Sequence, residues 1–206
     1  MASCQFSVLV SDAPPSVFLL GADPLTLECG QPYRELGARA QDARDGDLTG
    51  SITVENIPDT GRLGQASIVY SVVDSSGNKS SVSRSVVVRD SVAPILTVQA
   101  SPGQIWPPNH QMVPVHVSIS ATDACDPMPR LTLVRVTNSE SPAEGDDPDV
   151  QAIIGGPTTD VLLRAERLGR GQGRIYTLTY DLADASGQKT RAATAVTVLH
   201  DKRAAP

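Results

Sequence analysis

The chain has 206 residues with 17 Lys and Arg against 23 Asp and Glu, and its formal charge of −6 excludes the basic surface that nucleic acid or an anionic membrane requires. Hydrophobic residues make up 40%, enough for a packed core, but aromatic residues only 3%, so that core must be built from Val, Ile, Leu and Ala. The 16 Gly and 16 Pro are spread along the whole length and leave no window for a long helix, so the composition favours sheets.

The N-terminus, Met1-Ala-Ser-Cys4, runs straight into Gln5-Phe-Ser-Val-Leu-Val10. It has no basic region and no apolar run of signal-peptide length, so a cytoplasmic protein or a piece of a longer one is expected. Period-two alternation then recurs in Phe6–Val10, Ser67–Val73, Val82–Val88, Val113–Ile119, Arg174–Tyr180 and Ala193–Val198, each bounded by turn residues. These read as half-buried strands. In the fourth run Val113, Val115, Val117 and Ile119 share one face, which places His116 on the wet one. The stretch 91–122 holds no charged residue, yet Pro94, Pro102, Pro107, Pro108 and Pro114 interrupt it, so no membrane insertion is expected.

The pattern A-x-D-A-x-D followed by Y-x-x-x-D-x-S-G occurs twice, first at Ala40–Asp45 and Tyr70–Gly77, then at Ala121–Asp126 and Tyr180–Gly187. The chain therefore reads as a tandem repeat. Asp42 to Asp74 spans 32 positions and Asp123 to Asp184 spans 61, so the second copy carries 29 extra residues, in an inserted loop at about 138–173. Within it, 160–169 fits a helix capped by Asp160 or a strand with Val161, Leu163 and Ala165 on one face; the β surroundings favour the strand. Three strands end on an Asp, at Asp12, Asp90 and Asp201, and the first two are followed by a Pro that cannot continue a ladder. The expected divisions are 1–12, a strand left from an upstream domain, then domains at 13–91 and 92–206.

The opening segment resembles the last strand of a hyalin-repeat domain. Residues from about Ser16 to Asp90, with Leu25-Thr-Leu-Glu-Cys29-Gly, Tyr33, Asp45-Gly-Asp47-Leu-Thr49, Tyr70, Asp74 and Gly77-Asn78, resemble bacterial Ig-like repeats of surface proteins and of a pesticidal crystal protein. The second copy, marked by Trp106-Pro-Pro-Asn-His110 and Leu163-Arg-Ala-Glu-Arg167, resembles a less familiar relative in large secreted bacterial proteins. The resemblance implies an all-β fold of two tandem Ig-like β-sandwiches of about seven strands each, secretion or display at the cell surface, and structural or adhesive duty beside neighbouring domains of one long chain. It also implies a Cys at the positions of Cys29 and Arg44. Arg44 breaks that pair, and in the second copy Cys125 stands where Arg44 does, so three free thiols are expected, or a bridge between chains.

Calcium takes six to eight oxygen ligands, which Asp-rich turns can supply. The candidates are Asp42, Asp45, Asp47 and Asp74 meeting at one pole of the first copy, and Asp123, Asp126 and Asp184 in the second, joined by Asp146, Asp147 or Asp149. The competing reading is that each Asp accepts backbone N–H bonds in its own turn, with Gly77 and Asn78 supplying positive φ. Trp106 and His110 are candidates for contact with a surface glycan or protein ligand; the alternative is a rigid connection in which Trp106 plugs the sandwich end. No catalytic motif is present, and the carboxylates sit in repeated turns, so the chain is expected not to be an enzyme. A polysaccharide-binding accessory of a secreted hydrolase is the alternative to a scaffold.

Overall fold

A strand of alternating character buries every second residue, and the computed structural model of the chain follows that period closely. It describes residues 12–140, 148–169 and 173–200. The strand expected at Phe6–Val10, the upstream remnant before Asp12, and Cys4 lie outside the described residues. The chain divides after Asp90 into two units, each an Ig-like β-sandwich.

The first unit runs β1 (Ser16–Leu19), β2 (Leu25–Glu28), β3 (Ala38–Asp42), β4 (Gly46–Asp47), β5 (Thr53–Glu55), β6 (Gly64–Val73) and β7 (Lys79–Arg89). One sheet has the order β1-β3-β4 and the other β2-β7-β6-β5; β2 joins β7 in parallel and the other pairs are antiparallel. Ala38 and Ala40 from one sheet, with Ile68, Tyr70, Val72, Val86 and Val88 from the other, are the buried apolar residues. Most are small, and a long cation shares the space with them.

That cation is Arg84, with 0% of its surface exposed. A buried guanidinium is tolerated only when its donors are spent. Nη2 donates to the carbonyls of Leu20 and Gly37 at 2.5 and 3.0 Å, Nη1 donates to the carbonyl of Ala22, and Nε donates to the Tyr70 hydroxyl at 3.3 Å. The Tyr70 hydroxyl in turn donates to Glu35 Oε1 at 2.6 Å. Burial pushes the Glu35 carboxyl up, but hydrogen bonds from Tyr70, the Gly37 N–H and Tyr33, with the charge of Arg84, outweigh it and hold the pKa below the ordinary value.

The second unit runs β8 (Ile95–Ser101), β9 (Gln104–Ile105), β10 (Met112–Thr122), β11 (Arg130–Asn138), β12 (Val150–Gln151), β13 (Asp160–Arg164), β14 (Gly173–Ala183) and β15 (Lys189–Leu199). Its sheets have the orders β12-β13-β10-β8 and β11-β14-β15-β9. The core is aliphatic with two tyrosines, Leu133, Leu163, Leu178 and Leu182 packing with Val115, Val117, Tyr176 and Tyr180. Residues 160–164 form a strand, as the surroundings favoured, and His116 faces outward, its Nδ1 2.8 Å from Asp160. The inserted segment is more than a loop. It supplies β12 and β13, and β13 pairs along β10 from Met112↔Arg164 to His116↔Asp160.

The ends of the insertion are held by charge. Arg174 is buried, its Nε donates to Glu140 at 2.9 Å and its Nη1 to Asp149, while Arg164 Nε reaches Asp149 at 2.7 Å. The expectation of three free thiols is corrected: Cys29 and Cys125 are disulfide-bonded.

Replacing Arg84 by Met keeps length and apolar volume but takes the guanidinium from the carbonyls of Leu20, Ala22 and Gly37, of which that of Gly37 keeps a second donor, the Leu20 N–H. Arg84→Met is expected to destabilise the first unit by about 3 kcal/mol, and Tyr70→Phe by about 1–2 kcal/mol. Urea unfolding followed separately for the two units checks this; the second unit's transition should stay in place.

Candidate functional site

The turns that hold the repeated aspartates are built twice with the same bonds. After β3, Asp42 Oδ1 accepts the backbone N–H groups of Arg44 and Asp45 at 2.7 and 2.8 Å. After β10, Asp123 Oδ1 accepts those of Cys125 and Asp126 at 2.8 and 2.7 Å. The next Asp reaches across to the hairpin of the opposite sheet. Asp45 Oδ2 accepts the N–H of Ser75 at 2.6 Å, and Asp126 Oδ2 accepts that of Ala185 at 2.8 Å. Those hairpins turn on Gly77 and Gly187, whose φ values of +89° and +91° suit glycine. Asn78, expected to share that positive φ, does not adopt it and contributes its amide instead.

Here the two units part. Asp74 Oδ1 accepts the N–H groups of Ser76 and Asn78 at 2.9 and 2.8 Å, and its Oδ2 accepts the Asn78 side-chain amide at 2.8 Å. Burial raises the Asp74 pKa, but the bonds from Asn78, Ser76 and Gly77 prevail and leave it below the ordinary value. Asp12 is neutralised nearby, its Oδ2 accepting the Ser76 hydroxyl at 2.6 Å and standing 3.4 Å from Arg44 Nη1. In the second unit Asp184 Oδ1 accepts the Gln188 N–H at 2.8 Å, but Oδ2 is buried and accepts no hydrogen bond. Asp184 is 8% exposed.

Among the described residues Asp42, Asp45, Asp47 and Asp74 form no group with ligand spacing. Asp47 stands apart and accepts the Thr49 N–H at 2.9 Å, and hydrogen bonds from the Thr49 hydroxyl and N–H lower its pKa. Asp126 has both oxygens on backbone N–H groups, of Met128 and Ala185. Asp149 is bound to Arg164 and Arg174, and Asp146 and Asp147 lie outside the described residues.

Trp106 does not plug the sandwich end. It is 43% exposed, because the short β9 turns Ile105 inward and the next side chain outward. His110 has a φ of +65°, its N–H donates to the Ala165 carbonyl at 2.9 Å, and its Nδ1 lies 3.6 Å from Glu166. Tyr180, buried below the same sheet, has its pKa pushed up to about 12 by burial and by the charge of Asp160.

Two Ig-like sandwiches with no α-helix among the described residues define the class of the molecule. Residues 17–88, most of the first unit, match the family described as bacterial surface protein, Ig-like domain. No curated protein matches the chain. Among solved structures, a lipoprotein from Bacteroides thetaiotaomicron is 18% identical over 88% of this chain and 99% of its own, with a TM-score of 0.35. Extracellular cadherin domains 1–5 of protocadherin gamma B2 are 13% identical over 95% of this chain and 42% of their own, with a TM-score of 0.40. A chain of Clostridium perfringens ZmpB, a CBM51-2 in complex with GlcNAc and INT domains, is 13% identical over 91% of this chain and 44% of its own, with a TM-score of 0.31. No helix among the described residues is long and apolar enough to cross a membrane.

A carboxyl whose folded pKa is depressed stabilises above the ordinary carboxylate range, and its contribution is lost as pH falls through the folded value. The stability gap between wild type and Asp74→Asn is therefore expected to be widest near about pH 7 and to shrink toward about pH 3. Thermal melts of the first unit across that range check it.

Proposed function

We propose that the chain is a non-catalytic structural and adhesive section of a larger bacterial secreted or surface protein. It is a duplicated Ig-like module that spaces and presents the neighbouring domains of the same long chain, with calcium as a stiffening ligand. The observation that carries this reading is the match of residues 17–88 to the bacterial surface Ig-like family. Two others support it. The repeated carboxylates accept backbone N–H bonds that fix turns, which is scaffold chemistry and not that of an acid/base pair. Cys29 and Cys125 are disulfide-bonded, and disulfides persist in oxidising surroundings outside the cytoplasm.

A second reading has its own observation. The half-exposed ring of Trp106 offers a flat apolar face of the kind that stacks on a sugar, which suits a carbohydrate-binding accessory of a secreted hydrolase. Glycan-array retention of wild type and Trp106→Ala separates the two. The spacer reading expects no retention that depends on Trp106; retention lost in Trp106→Ala transfers the role to the accessory.

A further inference from the structure

The register of β11, β14 and β15 fixes which side chains share the outer face of one sheet of the second unit. Leu178, Tyr180 and Leu182 of β14 and Val196 and Val198 of β15 belong to the core, so the odd-numbered residues between them face out. On β11, Leu131 packs on the core and Leu133 lies within it, which turns Arg130 and Thr132 outward. Arg135 would fall on the buried side but for the break in register after Leu133. That extra residue brings Arg135 opposite Thr179, onto the outer face, as a bulge does when it re-aims a side chain.

Three rows of this face then hold the charges. Arg130 stands beside Ala183 and Lys189, Thr132 beside Asp181 and Arg191, and Arg135 beside Thr179 and Ala193. All four cations are exposed. Strands lie about 4.8 Å apart and alternate residues about 7 Å, so the four occupy an area of about 10 by 14 Å. Arg191 alone among them has a carboxylate partner among the described residues, its Nε and Nη2 donating to Asp181 at 2.6 and 2.9 Å. That bond and the charges of Arg191 and Lys189 hold the Asp181 carboxyl below its ordinary pKa against the effect of burial. Four cations against one carboxylate leave the area at +3, a local surplus that the formal charge of −6 for the whole chain conceals. Carboxylates of the adjoining turns are engaged by loop backbone, Asp126 by the N–H groups of Met128 and Ala185 and Asp184 by that of Gln188. The duplication supplies a comparison: Ser71 and Ser81 stand opposite each other in the first unit at the positions of Asp181 and Arg191.

A guanidinium takes a planar anion two bonds at a time, and the Asp181–Arg191 pair shows a carboxylate seated in that way on this face. Thr132 and Thr179 lie between the cations, and Thr137 and Thr177 follow in the next row. Short hydroxyl side chains both donate to and accept from the hydroxyls of a sugar. A protein interface is centred on aromatic or large apolar anchors, which these rows lack. A nucleic acid presents a longer phosphate track, and its single strands need aromatic rings to stack on.

We infer that the outer face of β11, β14 and β15 docks an acidic polysaccharide through the carboxylates of its uronic acid units. Arg130 and Arg135 take carboxylates from the edge strand inward, Lys189 adds a point charge, and the threonines meet ring hydroxyls. The face lies within the second unit alone. It gives the adhesive part of the proposed function a partner and rests on that reading only for biological purpose.

Chromatography of the full chain on immobilised polygalacturonate, with EDTA present and with dextran and double-stranded DNA as comparison matrices, tests the face. Retention on polygalacturonate is expected at about 0.05 M salt and its loss by about 0.5 M, where screening is complete within about 4 Å. The double variant Arg130→Gln, Arg135→Gln should weaken the apparent affinity about fivefold and leave the melting midpoint in place. Asp181→Asn frees Arg191 and should strengthen it about twofold. Arg39→Gln with Arg62→Gln removes the same charge from exposed positions of the first unit and should change nothing, as should Trp106→Ala. The inference is overturned by a wild type that passes through polygalacturonate at low salt, or by retention as strong on dextran or stronger on DNA. An equal loss in the Arg39 and Arg62 variant, a loss in Trp106→Ala, or weaker binding by Asp181→Asn overturns it as well. Failure on polygalacturonate leaves the spacer reading standing, because that reading falls only to glycan retention that depends on Trp106.

Discussion

A carboxylate offers about four lone-pair positions, and the architecture of this chain depends on how each aspartate at a strand end fills them. Asp42 and Asp123 spend one oxygen on two backbone N–H groups, which bends the chain out of β3 and β10. Asp45 and Asp126 then reach the hairpin of the facing sheet, so the turn of one sheet is tied to the turn of the other. Asp74 is satisfied on both oxygens, and Asp184 on one.

The interiors solve the same packing problem with different chemistry. The second unit fills its centre with leucine, valine and tyrosine. The first has mostly alanine and valine between its sheets, and the volume is completed by Arg84 lying against the Tyr70 ring, 5.7 Å from its centre. That choice ties the first core to Glu35 and to the carbonyls of the segment joining β1 to β2. A charged core of this sort tolerates little rearrangement, because every guanidinium nitrogen is committed to a fixed acceptor.

Much of this was legible in the sequence. Alternation at period two located β6, β7, β10, β14 and β15, since a half-buried strand leaves that mark whatever its partners. Asp42, Asp74, Asp123 and Asp184 mark corners readable in the sequence because their bonds are local, to residues two to four positions away. What escaped notice was long-range. Asp45 and Asp126 reach Ser75 and Ala185 in the facing hairpins, and the Asp184 oxygen left without a donor shows only once every bond has been drawn. The sequence leaves Trp106 open between a ligand contact and a plug, because its outward turn depends on two residues of β9 pairing in parallel with β15. Arg84 hid in a run of alternating residues, where a charged side chain reads as solvent-facing.

Six of the eight outer strands of these sheets are short, the exceptions being β8 with seven residues and β11 with nine. In the first unit β1, β2, β4 and β5 have four, four, two and three residues, and in the second β9 and β12 have two each. The longer β11 breaks register between Leu133 and Arg135. Such edges present few unpaired amides in a row, and a bulge spoils the template where one would otherwise extend. Crowded copies of the same sequence are thereby kept from swapping or stacking strands, a hazard that grows with every additional sandwich along a polymer of like parts.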